Sequence, residues 1–528
     1  MRRLSRATIG LGLWMVVAGT PLVLFAQAPS ESELAAKLDQ RIEDVLAAQS
    51  ITVAAPADDY EFVRRAFLDL TGRIPTVHEV HRFVADQRTD KRAILIGELL
   101  ERPRHAMHLA RVWRDWLVPE LATIPEARYF QQGFEAWLAA KFRDRTGYDR
   151  IVQELLSVPL PGTKEQAEYV FRQVDRPNAL AFFAVKDAAP DKLAATATRA
   201  FLSIQLECAQ CHNHPFTEWR QEQFWNQAAF FAGIERQGDG LFAPLTEDPV
   251  RRSVSPGEGK PLVSPAYLFG RGEQLDPKDA TRAAFAQWLT ARDNPYFARS
   301  AVNRVWAMLF GAGLVHPIDD FHDQNPASHP ESFDELSQAF AATNYDFDSL
   351  FRVLCHTKAY QRTSVWTSTE VPDHRVYARM ATKGLSADQA WDSLSLAVGW
   401  TTTTKDRDAD ASDQQTGRRR FLEQFTPRSW PADPETSISQ ALSMMNGGLL
   451  SRATHIDQSP TLIAATETPG WTDDERVTTL YLASLGRPPQ QLELEKLRQY
   501  LSRSSDHAGR YEDIFWMLLN SSEFRLNH

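Results

Sequence analysis

The chain has 528 residues, a formal net charge of −10, 43% hydrophobic residues and 24% charged residues. That length exceeds what one hydrophobic core serves and predicts two or three domains, with the composition of a folded protein rather than a disordered one. The acidic balance excludes a polybasic surface, so neither a nucleic-acid partner nor electrostatic binding to anionic lipid is expected.

The chain opens "MRRLSRATIGLGLWMVVAGTPLVLFAQAPS". Arg2, Arg3 and Arg6 make a positive head, an apolar run follows from Ala7 to Phe25, and small residues come next. This pattern predicts a secretory signal over residues 1–26, cut after Ala26, and an exported chain of the periplasm or cell envelope. The run is nearly long enough to span a bilayer, so membrane association is expected only if the segment is retained; Pro21 within it weakens the anchor reading. Export bears on the three cysteines, because thiols outside the cytosol tend to pair or be capped. Cys208 and Cys211 form one local unit and Cys355 is left over.

Most of the body reads as helix. "SESELAAKLDQRIEDVLAAQ" carries Ser30 and Glu33 as a capping box, then Leu34, Leu38, Ile42 and Leu46 at helical spacing. "DYEFVRRAFLDLTGRIPTVHEVHRFVAD" predicts helix, turn at Gly72–Pro75 and helix, with Thr76 and Glu79 as a second box. "HAMHLARVWRDWLVPE" puts Leu109, Val112, Trp113, Trp116 and Leu117 on one buried stripe. Residues 191–207 predict the helix that delivers the cysteines. Residues 236–278 are rich in Gly, Pro and charge and read as a linker or extended segment, with short strands near 236–270. Helices resume in "DNPYFARSAVNRVWAMLFGAGLVHP", ending at Gly311 and Gly313. In "SHPESFDELSQAF", Ser328 and Glu331 suggest a third capping box. Residues 401–418 read as a polar loop, and three helices close the chain. The fold expected is mainly α: two helical domains, 30–235 and 279–528, joined by the 236–278 segment, with few short strands.

The sharpest chemical feature is "LECAQCHNHPF", residues 206–216. In Cys-x-x-Cys-His, two thiols can add across the vinyl groups of a haem while the adjacent histidine is held under the iron, which nominates Cys208, Cys211 and His212 for haem c. Methionines 308, 380, 444, 445 and 517 and histidines 214, 316, 322 and 329 are the candidates for a second axial ligand. A second reading is zinc or another divalent metal on Cys208, Cys211 and His214, with one further ligand. A third is a local disulfide. Cys355, on an apolar stripe, reads as a buried core thiol.

"IDDFHDQNPASHP", residues 318–330, is the other dense polar cluster. Asp319, Asp320, His322, Asp323 and His329 could hold a divalent cation, with Asp320, His322 and His329 the nominated ligands, or serve as an acid–base pair; the plainer reading is a polar loop with capping residues. "HEVH" at 78–81 lacks one residue of the zinc-protease spacing and reads as an exposed helix face. His105 and His108 read as core-rim packing, and Arg299, Asn303 and Arg304 as structural pairing. No phosphate loop, nucleophile elbow or dinucleotide fingerprint occurs.

Together, "RRAFLDLTGRIPT", "FLSIQLECAQCHNHPFTEW" and "FFAG" resemble the planctomycete cytochrome-C-associated domain of unknown function of the second PSCyt type. "NPYFARSAVNRVWAMLFGAGLVHPIDDFHDQNPASHPE", "YDFDSLFRVLCHTKAYQRTS", "SMMNG" and "FWMLLNSSEF" resemble its usual partner, the planctomycete PSD domain. The resemblance implies this domain order and an exported, cytochrome-associated protein whose redox role rests on residues 208–214. It also implies an exported sulfatase-like protein as a candidate partner. Cys355 departs from the small polar residue that the resemblance leads one to expect there.

Overall fold

A computed structural model describes residues 30–528, apart from 172, 174–175, 216, 270–280, 368, 370, 401–409, 426–447 and 504–505 and the side chains of 410–416. The predicted signal segment, residues 270–278 of the predicted linker, Met444 and Met445 lie outside the described residues. The fold is mainly α, with two small two-stranded antiparallel sheets: Ile234–Arg236 with Leu245–Glu247, and Lys383–Gly384 with Leu526–Asn527. The first hairpin falls where short strands were expected.

Local chemistry explains most helix ends. Ser30 Oγ accepts from the Glu33 amide while Glu33 accepts from the Ser30 amide, and Thr76 and Glu79 do the same. Gly72 and Gly311 close their helices with φ of 69° and 85°, a left-handed turn that a side chain would strain. The third expected box does not form. Pro330 takes the first position of the Pro330–Ala342 helix, which makes His329 the cap and leaves Glu331 one residue too early. The polar stretch near 410 also departs from expectation: Asp410–Phe425 is a helix. Its Phe421 is buried and packs on Trp391 at 5.5 Å, so aromatic anchoring overrides the low apolar content.

Buried side chains do not divide at 236–278. One core runs from Leu34 to Met380 and takes in Leu482; a second joins Trp391–Phe524 to Leu68 and Ile74. Across the Gly/Pro-rich segment, Tyr148 stacks on Phe297 at 5.2 Å and Trp113 meets Phe347 edge-on at 4.7 Å. Apolar stripes on either side of that segment face one another and merge into a single interior.

Two polar devices join the cores. The first is the Asp59–Thr71 helix, which carries "RRAFLDL". Arg64 donates to the carbonyls of Ser484, Glu523, Phe524 and Leu526, and Arg65 to those of Tyr360, Arg362 and His528. Asp69 accepts from Tyr360 Oη at 3.0 Å, Lys383 Nζ at 2.7 Å and Asn527 Nδ2 at 2.7 Å. The second device lies between the Pro103–Leu117 and Ala387–Val398 helices. Arg114 pairs with Asp388 at 2.8 Å, Arg111 with Asp392 at 2.5 Å, and Arg418 with Asp388.

Candidate functional site

The cysteine loop begins sooner than the periodicity predicts. The Pro190–Leu202 helix stops at Ser203, whose φ of 57° turns the chain out of the helix. Buried Arg304 donates to the carbonyls of Ala200 and Arg199, satisfying the end of that helix, and Ser203 Oγ meets Ser300 Oγ at 2.7 Å. A 3₁₀ turn, Leu206–Ala209, then presents Cys208. Its register is set by Leu206 and Ala209, both fully buried, between which Cys208 stays exposed.

The stretch after Cys211 is held from its far side. Gln221, opening the Gln221–Ala229 helix, donates through Nε2 to the carbonyls of Gln210 and Cys211 at 3.0 and 2.8 Å. Trp225 Nε1 donates to the Gln210 carbonyl at 3.0 Å. The His214 amide donates to the Trp219 carbonyl at 2.8 Å, and the Gln221 amide to Asn213 Oδ1 at 3.0 Å. These tethers escaped the sequence reading, although Gln and Trp four residues apart on one helix face was the available signal.

Cys208 and Cys211 are free and exposed, so they form no disulfide in this structure. Burial of part of the Cys208 thiol, followed by the Glu207 and Asp320 charges, raises its pKa against the pull of Arg199. A raised pKa keeps a thiol protonated, the opposite of a redox-active nucleophile.

The two histidines differ in the nitrogen they leave available. His212 is exposed, and its Nδ1 lies 2.7 Å from the Asn213 carbonyl oxygen. A carbonyl only accepts, so Nδ1 carries the proton and Nε2 of the neutral ring keeps its lone pair. This is the tautomer of a metal- or haem-ligating histidine, whose second nitrogen donates to a backbone oxygen. In His214, by contrast, Nδ1 accepts from the Thr217 amide at 3.1 Å. The proton of the neutral ring then sits on Nε2, and burial lowers the pKa of the ring. Cys208, Cys211 and His212 thus fit a haem: two open thiols and a histidine with its lone pair exposed. His214 does not hold ligand geometry toward zinc in this arrangement.

The second polar cluster folds against the first. Arg199 donates through Nε to Asp319 Oδ2 at 2.5 Å and through Nη1 to Glu207 Oε1 at 2.9 Å, and the Phe321 amide donates to the Ser203 carbonyl at 2.8 Å. Asp319 is buried and structural. Asp320 and His322, 3.5 Å apart, lie within electrostatic reach of His214, and Asp320 also within that of Cys208. His329 is not part of this group: it is buried against Tyr377 at 5.4 Å, its Nδ1 3.1 Å from Ser328 Oγ. Among the described residues no group of three or more His, Cys, Asp or Glu side chains stands ready to hold a metal ion. The nominated set of Asp320, His322 and His329 is therefore not brought together.

The other sequence candidates are structural. His78 and His81 are exposed on their helix, and Cys355 is fully buried with its thiol pKa pushed far up by burial. Asn303 donates to the carbonyls of Val315 and Ile318, and Arg299 pairs with Asp334. A cleft of about 880 Å³ adjoins the cysteine loop, walled by Gln221, Trp225, Pro256, Lys260, Leu262 and Pro265. No helix of the described residues is long and apolar enough to cross a membrane.

No curated protein and no solved structure matches the chain. Two family models match, both described as proteins of unknown function: PSCyt2 (DUF1549) over residues 37–236 and PSD1 (DUF1553) over residues 281–432. Together they cover about two thirds of the sequence, with the cysteine loop inside the first and the Asp319–His329 cluster inside the second. The chain belongs to the proteins that carry a PSCyt2 domain followed by a PSD1 domain.

Proposed function

We propose that this is an exported cell-envelope protein that carries a covalently attached haem c on Cys208 and Cys211, with His212 as the axial ligand. One observation carries the reading: beside two exposed, unpaired thiols in Cys-x-x-Cys-His spacing, His212 commits Nδ1 to a backbone carbonyl and leaves Nε2 open. The bound group would supply one-electron chemistry. The chain's own part is to fix the loop through Gln221 and Trp225 and to hold the tautomer of His212 through Asn213. An exported sulfatase-like protein remains the candidate partner.

A second reading, a scaffold whose loops are tied by a divalent metal, draws on Asp320 lying within electrostatic reach of Cys208 and His214, and His322 within that of His214. Binding there would require the His214 ring to give up its bond with Thr217. The two separate in one experiment. The chain from Gln27 onward is produced in a periplasm with active haem attachment, and its absorption spectrum is recorded. A Soret band absent from C208A/C211A supports haem. A colourless protein that holds stoichiometric zinc and loses stability on chelation supports the scaffold.

A further inference from the structure

The cleft of about 880 Å³ beside the cysteine loop has two unlike walls. One is the Gln221–Ala229 helix, which contributes Gln221, Glu222, Trp225 and Asn226. The other is an extended run, residues 261–266, whose backbone is only half used. Val254 and Val263 exchange both of their hydrogen bonds, at 3.1 and 2.8 Å. In an antiparallel pair of this kind the residues on either side of the bonded one turn their N–H and C=O the opposite way. Leu262 and Ser264 therefore face away from Val254, toward the helix. The Ser264 carbonyl accordingly accepts from Asn226 Nδ2 at 2.7 Å, and two residues on the Ala266 carbonyl accepts from Gln227 Nε2 at 2.7 Å. The rest of that edge is open: the N–H and C=O of Leu262 and the N–H of Ser264 have no partner among the described residues.

Three features say what fits this edge. A donor and an acceptor on Leu262 with a further donor on Ser264 make the pattern that an added strand completes. Pro261 and Pro265 bracket the open residues and have no N–H to give, so the edge suits a short strand and does not propagate into a growing sheet. The walls are also mixed in character. Trp225 and Leu262 are apolar, with Leu262 68% exposed, while Glu222 and Lys260 are an exposed acid and an exposed base that form no ion pair among the described residues. A peptide brings alternating backbone donors and acceptors, an apolar side chain and charges of both signs in one ligand.

We infer that this cleft binds a short extended peptide of a partner protein, added as a strand along residues 262–264. One of its apolar side chains lies on the Trp225–Leu262 wall, and its charged side chains complement Glu222 and Lys260. The peptide lies on Gln221 and Trp225, the two side chains that hold the Gln210 and Cys211 carbonyls, so the partner docks beside the cysteine loop. The binding rests on backbone pairing and does not depend on what that loop carries.

The test uses the chain from Gln27 onward. A phage-displayed library of short random peptides is depleted on L262P and then selected on the parent, and the enriched peptide is synthesised. L262P removes an N–H that the fold leaves unused, at an exposed position, so it keeps the fold. The expected result is saturable one-to-one binding to the parent, at least about tenfold weaker in L262P and within about threefold of the parent in L262A, which keeps the N–H. Two further copies of the peptide are N-methylated at its odd or at its even residues. Only the copy whose methyl groups meet the edge should lose binding, a signature of strand pairing that stands even if L262P fails to fold. Three results would each overturn the inference: no peptide enriched on the parent over L262P, the two N-methylated copies binding alike, or a parent that dimerises through this edge, seen in sedimentation as a dimer lost in L262P. None of these readouts involves haem, so the outcome is separate from that of the proposed function.

Discussion

The "RRAFLDL" helix and the "CAQCH" loop are both dense in chemical residues, yet they put them to opposite use. In the helix, Arg64, Arg65 and Asp69 are buried, and their charges go to named carbonyls and side chains of the C-terminal half. In the loop, Cys208, Cys211 and His212 are exposed, and the reactive atoms are the ones left over after backbone bonds are made. Buried charges spent on backbone acceptors build a joint between cores. Exposed thiols and an exposed imidazole, on a loop held from behind by Gln221 and Trp225, make a candidate site. A motif's length and charge do not tell these uses apart; whether its polar atoms have partners does.

The comparison breaks most sharply under substitution. Asp69→Ala removes the only carboxylate beside Lys383 Nζ, leaving it the Met308 and Leu309 carbonyls, takes the acceptor from buried Tyr360 Oη, and is expected to cost about 3–5 kcal/mol in urea unfolding. C208A/C211A, at exposed positions, should change stability by no more than about 0.5 kcal/mol while removing any attached haem. Similar losses for both variants would erase the distinction between joint and site.

Next in size is the ion network between the cores. Burial works against ionisation of Asp388, but Arg114, Arg111 and Arg418 hold its carboxyl well below the usual carboxylate range. Asp388→Ala leaves Arg114 with one fewer partner at the boundary and is expected to cost about 2–4 kcal/mol, loosening the second core before the first. Unfolding followed separately by hydrogen exchange over 391–400 and 103–117 would show the order; simultaneous loss would mean the cores are one cooperative unit.

Acid should act through Glu79. Burial would raise its pKa, yet hydrogen bonds from Arg73, the Thr76 amide and Arg102 bring it down to about 2 from 4.5. A carboxyl whose folded pKa is depressed adds stability that is complete above the unfolded value and is lost as pH falls from about 4.5 toward 2. After allowance for its partial exposure, the contribution is about 2 kcal/mol. E79Q should flatten the acid limb of the stability curve over that window and leave the cysteine loop untouched. A curve unchanged by E79Q would contradict the assignment.

The smallest effects separate the two histidines. H212A should alter the Soret band and the redox potential of attached haem, whereas H214A should leave both near the parent values and cost about 1 kcal/mol or less through the lost Thr217 bond. A spectrum that follows His214 instead would reverse the tautomer argument.

Much of the fold was legible because it rests on local chemistry. The boxes at Ser30 and Thr76, the left-handed ends at Gly72 and Gly311 and the stripe through Leu109 and Trp113 are short-range rules met in place. Pro330 moved one helix start because its ring fixes the first helical position, and Phe421 drew a polar stretch into a helix by packing on Trp391. The merging of the interior across 236–278 was invisible because complementary stripes do not announce their partners. At the site, spacing alone nominated both His212 and His214. Only the acceptor beside each ring distinguishes them, through Asn213 and Thr217, and that is a property of the folded loop.

The most direct test of the central claim is the intact mass of the chain matured with the haem-attachment machinery, measured under denaturing, reducing conditions. The account predicts the mass of the processed chain plus one haem, reduced to the bare chain in C208A/C211A. An unmodified mass in the parent, with both thiols open to alkylation, would contradict it.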